Sequence, residues 1–211
     1  MALSRAFYLR DPVEVAPELL NKLLVVGSGV SRRAGRIVEV EAYRGSADPA
    51  SHAYRGPTQR NLVMFGPPGR LYVYRSYGVH WCSNVVCRPS GIGEAVLIRA
   101  LAPVAGLEAM AVARSGGGGP PARDVVERDL CRGPGRLCQA LGITALHDGA
   151  DLVTGDRGIR VVDDGCAPPL LPGVSVRIGL TKGVDDPWRF FVAGDRHVSG
   201  PRVVRPGSVR R

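Results

Sequence analysis

Aromatic residues make up only 6% of this chain of 211 residues, lysine occurs only at positions 22 and 182, and the five cysteines include no C-x-x-C pair. Without that spacing the cysteines offer neither a zinc site nor a dithiol redox centre. Cys82, Cys87, Cys131, Cys138 and Cys166 are instead expected as buried thiols in a reducing cytoplasm. No run approaches the ~20 apolar residues needed to cross a bilayer, and Arg5, Arg10 and several acids interrupt any secretory core at the N-terminus. A soluble, cytoplasmic protein is expected. Gly66 to Gly69 (GPPG) opens neither a G-x-x-x-x-G-K-[ST] nor a G-x-G-x-x-G phosphate loop, so nucleotide cofactors have no support. The zinc-deaminase pattern, H-x-E with a later P-C-x-x-C, is also missing.

What the chain does have is charge. Its formal net charge is +9 and its pI about 9.9, so a polyanion is a natural partner. Nearly all of that charge is arginine, whose fork suits phosphate oxygens. A GC-rich coding sequence explains the arginine excess equally well, but it leaves the net charge standing. With 45% apolar residues, a chain of this length buries one substantial core, and a single domain is expected.

Asp11-Pro12 followed by Val13, Ala16, Leu19, Leu20 and Leu23 predicts a capped amphipathic helix outside a sheet. Short valine-rich and aromatic runs at Arg36 to Tyr43, Leu71 to Tyr74, Asn84 to Cys87, Ala95 to Ala100, Val174 to Ile178 and Arg189 to Ala193 predict strands. Ser115 to Pro121 (SGGGGPP) reads as a flexible surface loop. Asp124 to Cys131 and Gly133 to Leu141 carry helical periodicity. The arginine-rich end reads as a mobile basic tail. Because regular helices do not separate the strands, the expected fold is mixed α/β (α+β) with an antiparallel or mixed sheet: one compact domain over residues 1–203, and a tail at 204–211.

In GRIVEVEAYRG, alternation puts Val38, Val40 and Ala42 on one face and Ile37, Glu39, Glu41 and Tyr43 on the other. Two carboxylates and a tyrosine then share a face, which a solvated strand would also produce. RLYVYRSYGVHWCSN gathers Tyr72, Tyr74 and Tyr77 with His80 and Trp81. That is half of the chain's six tyrosines. The cluster suits either a core strand and turn or a platform on which an extruded base stacks. His52 lies in a turn-rich loop, DPASHAYRG, with no partner at metal-ligand spacing.

The ordered set EVEAYRG, DPASHAYRGPTQRN, MFGPPGRLYVYRSYGVHWCSNVV, LIRALAP and CRGPGRLCQALGI closely resembles the alkyladenine (3-methyladenine) DNA glycosylase family, in its bacterial type. The resemblance covers roughly Arg5 to Pro201 and implies a single compact α/β mixed (α+β) domain with a curved, mainly antiparallel sheet and peripheral helices. It implies a monofunctional enzyme that flips an alkylated or deaminated purine out of damaged double-stranded DNA and hydrolyses its bond to the sugar. It implies Glu41 as the general base for a water and Arg99 as its partner in holding that water. Tyr43, His52 and Tyr74 would wall the flipped base, Tyr77 would wedge into the duplex, and Asn84 would crowd the exocyclic amine of guanine. Thr58 and Arg60 are assigned to backbone phosphates. No metal, no organic cofactor and no membrane are implied, and a monomer is expected. Gln59 and the SGGGGPP loop depart from the family pattern. The preferred lesion among 3-methyladenine, 7-methylguanine, hypoxanthine and ethenoadenine stays open. A glycosylase-lyase would need an amine nucleophile, for which only Lys22 and Lys182 are candidates, and a non-enzymatic nucleic-acid-binding module would share the charge and aromatics.

Overall fold

The computed structural model describes residues 1–116 and 126–200. Most of the SGGGGPP loop, the start of the expected 124–131 helix and the basic tail lie outside them. Eight strands form one open sheet: β1 Leu23–Val26, β2 Arg33–Tyr43, β3 Leu71–Ser76, β4 His80–Cys87, β5 Glu94–Ala105, β6 Ile159–Val162, β7 Gly173–Ser175 and β8 Arg189–Phe191. The path runs β3-β4-β5-β2-β1-β6, with β8 also on β2 and β7 on β8. Every pairing is antiparallel.

Four α-helices are described: α1 Arg5–Tyr8, α2 Pro12–Leu19, α3 Leu107–Arg114 and α4 Pro134–Leu141. The Asp11 side chain caps α2 by accepting from Val13 N at 2.9 Å, and Pro12 follows at a position where its missing N–H costs nothing. Leu23, expected on that helix, instead starts β1. Residues 127–129 form a single 3₁₀ turn rather than a helix.

The sheet is covered on both faces. Val15, Ala16 and Leu19 of α2, Met110 of α3 and Leu137 and Leu141 of α4 pack with Val40, Ala42, Val85, Val96 and Ile98 in the main core. Alternation turns the residues between them to the other face, where the loop after β2 and the segment after β7 pack. Glu41, Leu97, Asn84 and Tyr72 there form one row across β2, β5, β4 and β3, each paired with the next.

One local expectation is overturned. Ile37 joins Val40 and Ala42 in the main core, whereas Val38 packs with Ala100 and Phe191 in a separate cluster. The register between β2 and β5 shifts at Ile37/Glu39 and again at Glu39/Val40. The first shift leaves Val38 as the extra residue on β2, and the second leaves Arg99 as the extra residue on β5. A bulge of this kind breaks strict alternation and re-aims a side chain, and it reverses the faces of residues 37 and 38. Cys166 is another correction. It lies in the loop after β6 and is only partly covered, while the other four thiols are buried.

Candidate active site

A cleft of ≈ 650 Å³ opens on the face opposite the main core, with Pro134 at the start of α4 in its lining. Strand β3 supplies Tyr72 and Tyr74, β4 supplies Cys82 and Asn84, β5 supplies Leu97 and Arg99, and β2 supplies Tyr43. Ser51, His52, Arg60 and Met64 close one side, and Ile178 to Leu180 enter from the C-terminal half. Thus Tyr43, His52, Tyr74, Tyr77, Asn84, Arg60 and Arg99 converge on one cleft although the sequence scatters them over more than fifty positions.

His52 and Tyr74 touch edge to face, with ring centroids 4.3 Å apart, and Tyr72 stacks behind Tyr74 at 5.4 Å. His52 and Tyr74 therefore make one wall together and do not sandwich a base between them. Tyr43 lines the same cleft from β2, which with β3 flanks β4 and β5 in the sheet order. One edge of His52 faces solvent, but its packed face is desolvated. That burial, with a smaller contribution from the charge of Arg60, lowers its pKa below the ordinary imidazole value. A neutral ring stacks against a cationic base without charge repulsion. Its Nδ1 lies 3.1 Å from the Tyr72 hydroxyl.

Glu41 has no exposure. Its Oε1 accepts from Ile178 N at 2.8 Å. Its Oε2 accepts from the Tyr43 hydroxyl at 2.9 Å and from Arg99 Nη1 at 3.2 Å. Burial, then the Glu41 charge, pushes the Tyr43 phenol well above its ordinary pKa, so the phenol stays protonated and donates. An ionised carboxylate has about four acceptor positions. Three donors leave one, on Oε1.

Tyr77 and Gly78 both have positive φ, 49° and 69°, and Val79 N donates to Ser76 O at 3.0 Å. That is the geometry of a type I′ hairpin turn between β3 and β4. A bulky residue pays roughly 1–2 kcal/mol to sit in the left-handed region. Tyr77 does so while 93% exposed, so packing does not explain it. Asn84 is buried, and its Nδ2 donates to Tyr72 O at 3.2 Å. That bond fixes the amide at the cleft floor.

The two residues expected at phosphates have internal contacts. Thr58 N and Oγ1 both donate to Asn61 Oδ1, at 2.6 and 3.0 Å. Arg60 Nη2 donates to Arg75 O at 2.9 Å, and its guanidinium lies 6.0 Å from the Tyr74 ring centroid. Arg60 is thus part of the cleft, while Thr58 lies outside its lining.

Sequence reasoning missed Arg177. Its side chain has no exposure and pairs with both oxygens of Asp48, itself unexposed. The guanidinium lies 4.7 Å from the Tyr43 ring centroid and 4.9 Å from that of Trp188, and Ile178, the next residue, supplies the backbone donor to Glu41. A lone arginine in a valine-rich run, VSVRIG, was the available signal, since arginine in a strand is buried only when paired.

The model of the methylpurine-DNA glycosylase family matches residues 6–196. A protein of Burkholderia lata named 3-methyladenine DNA glycosylase is 57% identical over 199 residues, which is 94% of this chain and 91% of that one. One of Burkholderia cenocepacia with the same name is 57% identical over 201 residues, 94% and 92% of the two chains. One of Rhodopseudomonas palustris is 50% identical over 199 residues, 94% and 88%. With a match across nearly all of its length and a cleft built from the matched strands, the chain belongs to the methylpurine-DNA glycosylase family.

Proposed function

We propose that this protein is a monofunctional DNA glycosylase that extrudes alkylated or deaminated purines, the 3-methyladenine class, from duplex DNA and hydrolyses the glycosidic bond as the first step of base-excision repair. The observation that carries the reading is a fully buried carboxylate, Glu41, bonded to Tyr43 and Arg99, two residues that line an aromatic cleft. The extruded base stacks between Tyr43 and the His52–Tyr74 wall, each aromatic face worth about 1 to 3 kcal/mol. A water takes the remaining acceptor position of Glu41 and is activated for attack at the sugar carbon. The negative charge of Glu41 also stabilises positive charge developing on the sugar in a water-poor site. An alkylated purine already carries positive charge and leaves without much acid assistance. Residues 1–203 act as one catalytic domain, monomeric and cytoplasmic, and Thr58 and Arg60 approach the phosphate backbone. No helix among the described residues is long and apolar enough to cross a membrane.

The test is multiple-turnover release of free base from duplexes carrying 3-methyladenine, 7-methylguanine, hypoxanthine or ethenoadenine, with borohydride trapping in parallel. Release without a trapped adduct is expected. A covalent adduct would overturn the monofunctional reading, and binding without release would make the protein a binding module.

Tyr77→Ala is expected to weaken capture of the flipped state, since extruding a paired base costs a few kcal/mol that the wedge offsets. The loss should be larger on a paired lesion than on a mispaired one; equal losses in the two duplexes would remove the wedge role. Asn84→Ser shortens the side chain that crowds an exocyclic amine, and is expected to raise release of guanine and 7-methylguanine relative to 3-methyladenine. An unchanged product ratio, read by chromatography of the freed bases, would take Asn84 out of specificity.

A further inference from the structure

Glu39 has no exposure, like Glu41, and each of its oxygens is occupied. Oε1 accepts from Arg189 Nε at 2.6 Å and from Arg99 Nε at 3.2 Å, and Oε2 accepts from Ser199 N at 2.6 Å. Arg189 is in turn 1% exposed and lies over the Phe191 ring. It donates from Nη1 to Ser175 Oγ at 2.8 Å and from Nη2 to Ser199 O at 2.7 Å. A buried ion network of this kind is weak evidence for stability, because well-packed apolar residues of similar volume often serve as well. It calls for another account.

Arg99 is the shared member. Its Nε edge meets Glu39 and its Nη1 meets Glu41, so two carboxylates on one strand face fix the rotation of one guanidinium. With Glu41 as its sole partner, an arginine favours fork-on-fork pairing, in which two parallel N–H groups engage both carboxylate oxygens. That pairing would fill the one acceptor position left on Glu41 Oε1. Arg189 and Ser199 N supply the donors that hold Glu39 in place without drawing on Glu41.

We infer that Glu39 is a positioning residue: it holds Arg99 in single contact with Glu41 and so keeps open the acceptor position that the reacting water requires. This rests on the reading of Glu41 as base and Arg99 as its partner.

The experiment is a double-mutant cycle on the full chain, with single-turnover release from a hypoxanthine duplex and lesion-duplex affinity as separate readouts. Hypoxanthine is neutral, so the leaving group does not mask the base. Glu39→Gln is expected to lower the release rate about 10-fold or more, toward the lower end of what general-base catalysis contributes, with affinity little changed. Arg99→Lys keeps the charge but has no fork, so on that background Glu39→Gln should cost less than about twofold, the scatter of independent mutations. Glu39→Asp, run in the same cycle, retains the buried charge but is one methylene short, and it decides the matter if Glu39→Gln does not fold. Equal losses on both backgrounds, or wild-type release by folded Glu39 variants, would overturn the inference. If Glu41→Gln and Arg99→Lys themselves release base at the wild-type rate, it is the reading of the site that fails.

Discussion

Glu41→Gln is expected to lower single-turnover excision by at least about 10²-fold, and up to about 10⁴-fold, the usual contribution of a positioned general base. Lesion binding should be retained, because stacking and phosphate contact do not use the carboxylate. The substitution is not free of structural cost. Ile178 N faces one oxygen and Tyr43 with Arg99 faces the other, so the new amide nitrogen must meet a donor in either orientation. Turning it toward Ile178 offends one donor rather than two and leaves one buried N–H unsatisfied, a penalty of about 1–3 kcal/mol. Thermal melting separates that loss from the loss of chemistry. Near-wild-type release by a folded Glu41→Gln protein would remove Glu41 from the base role. Glu39→Gln is no harmless control for this test, although Glu39 shares the strand face, because it is buried between Arg99 and Arg189.

Asp48→Asn is expected to destabilise the protein by about 3–5 kcal/mol, the cost of leaving a buried cation without its counter-charge. Arg177 is enclosed with its side chain wholly unexposed, and the second carboxylate within ion-pair distance, Asp186, stands 3.8 Å away and is itself 40% exposed. Ala42 O and Gly183 O accept from the guanidinium, but carbonyl dipoles do not replace a full charge. Asp48 also accepts from Ala50 N at 3.0 Å at the start of the loop that carries His52. For a chain of this size each kcal/mol moves the melting temperature by about 2–4 °C, so a fall of about 10 °C is expected. Because Arg177 backs the Tyr43 ring, lesion affinity should fall with it. A melting temperature within a degree or two of wild type would show that the pair is not the strut of this wall.

The strands were legible wherever valine and aromatics repeat between turn residues, as in β3 and β5. β1 and β6 were not. LLVV followed a capped helix whose apolar spacing ran through Leu23, and IRVV is too short for periodicity to register. α3, LEAMAVAR, is small-sided, with one buried residue, Met110, so it carries little amphipathic signal. Within the site, the residues that touch the cleft stood in recognisable segments. Asp48 opened one of those segments and Arg177 and Arg189 lay in predicted strands, but their pairings were not legible, because each is set by a partner more than a hundred positions away.

The amino-acid sequence by itself determined the chemical inventory: a basic chain, a tyrosine cluster around a glycine turn, a pair of carboxylates two residues apart, and motifs in family order. These follow from composition and local spacing, which need no knowledge of what folds against what. Only the tertiary structure decided how the two carboxylates differ. Both lie on one face of β2 and both are fully buried, but paired register shifts aim Arg99 between them. Arg189 and Ser199, neither of which lines the cleft, then close around Glu39, while Glu41 is held by Tyr43, Arg99 and Ile178, all of which line it. A bulge and three contacts spanning more than 130 residues set that difference, and none has a signature in local sequence, because each depends on which strand pairs with which and in what register.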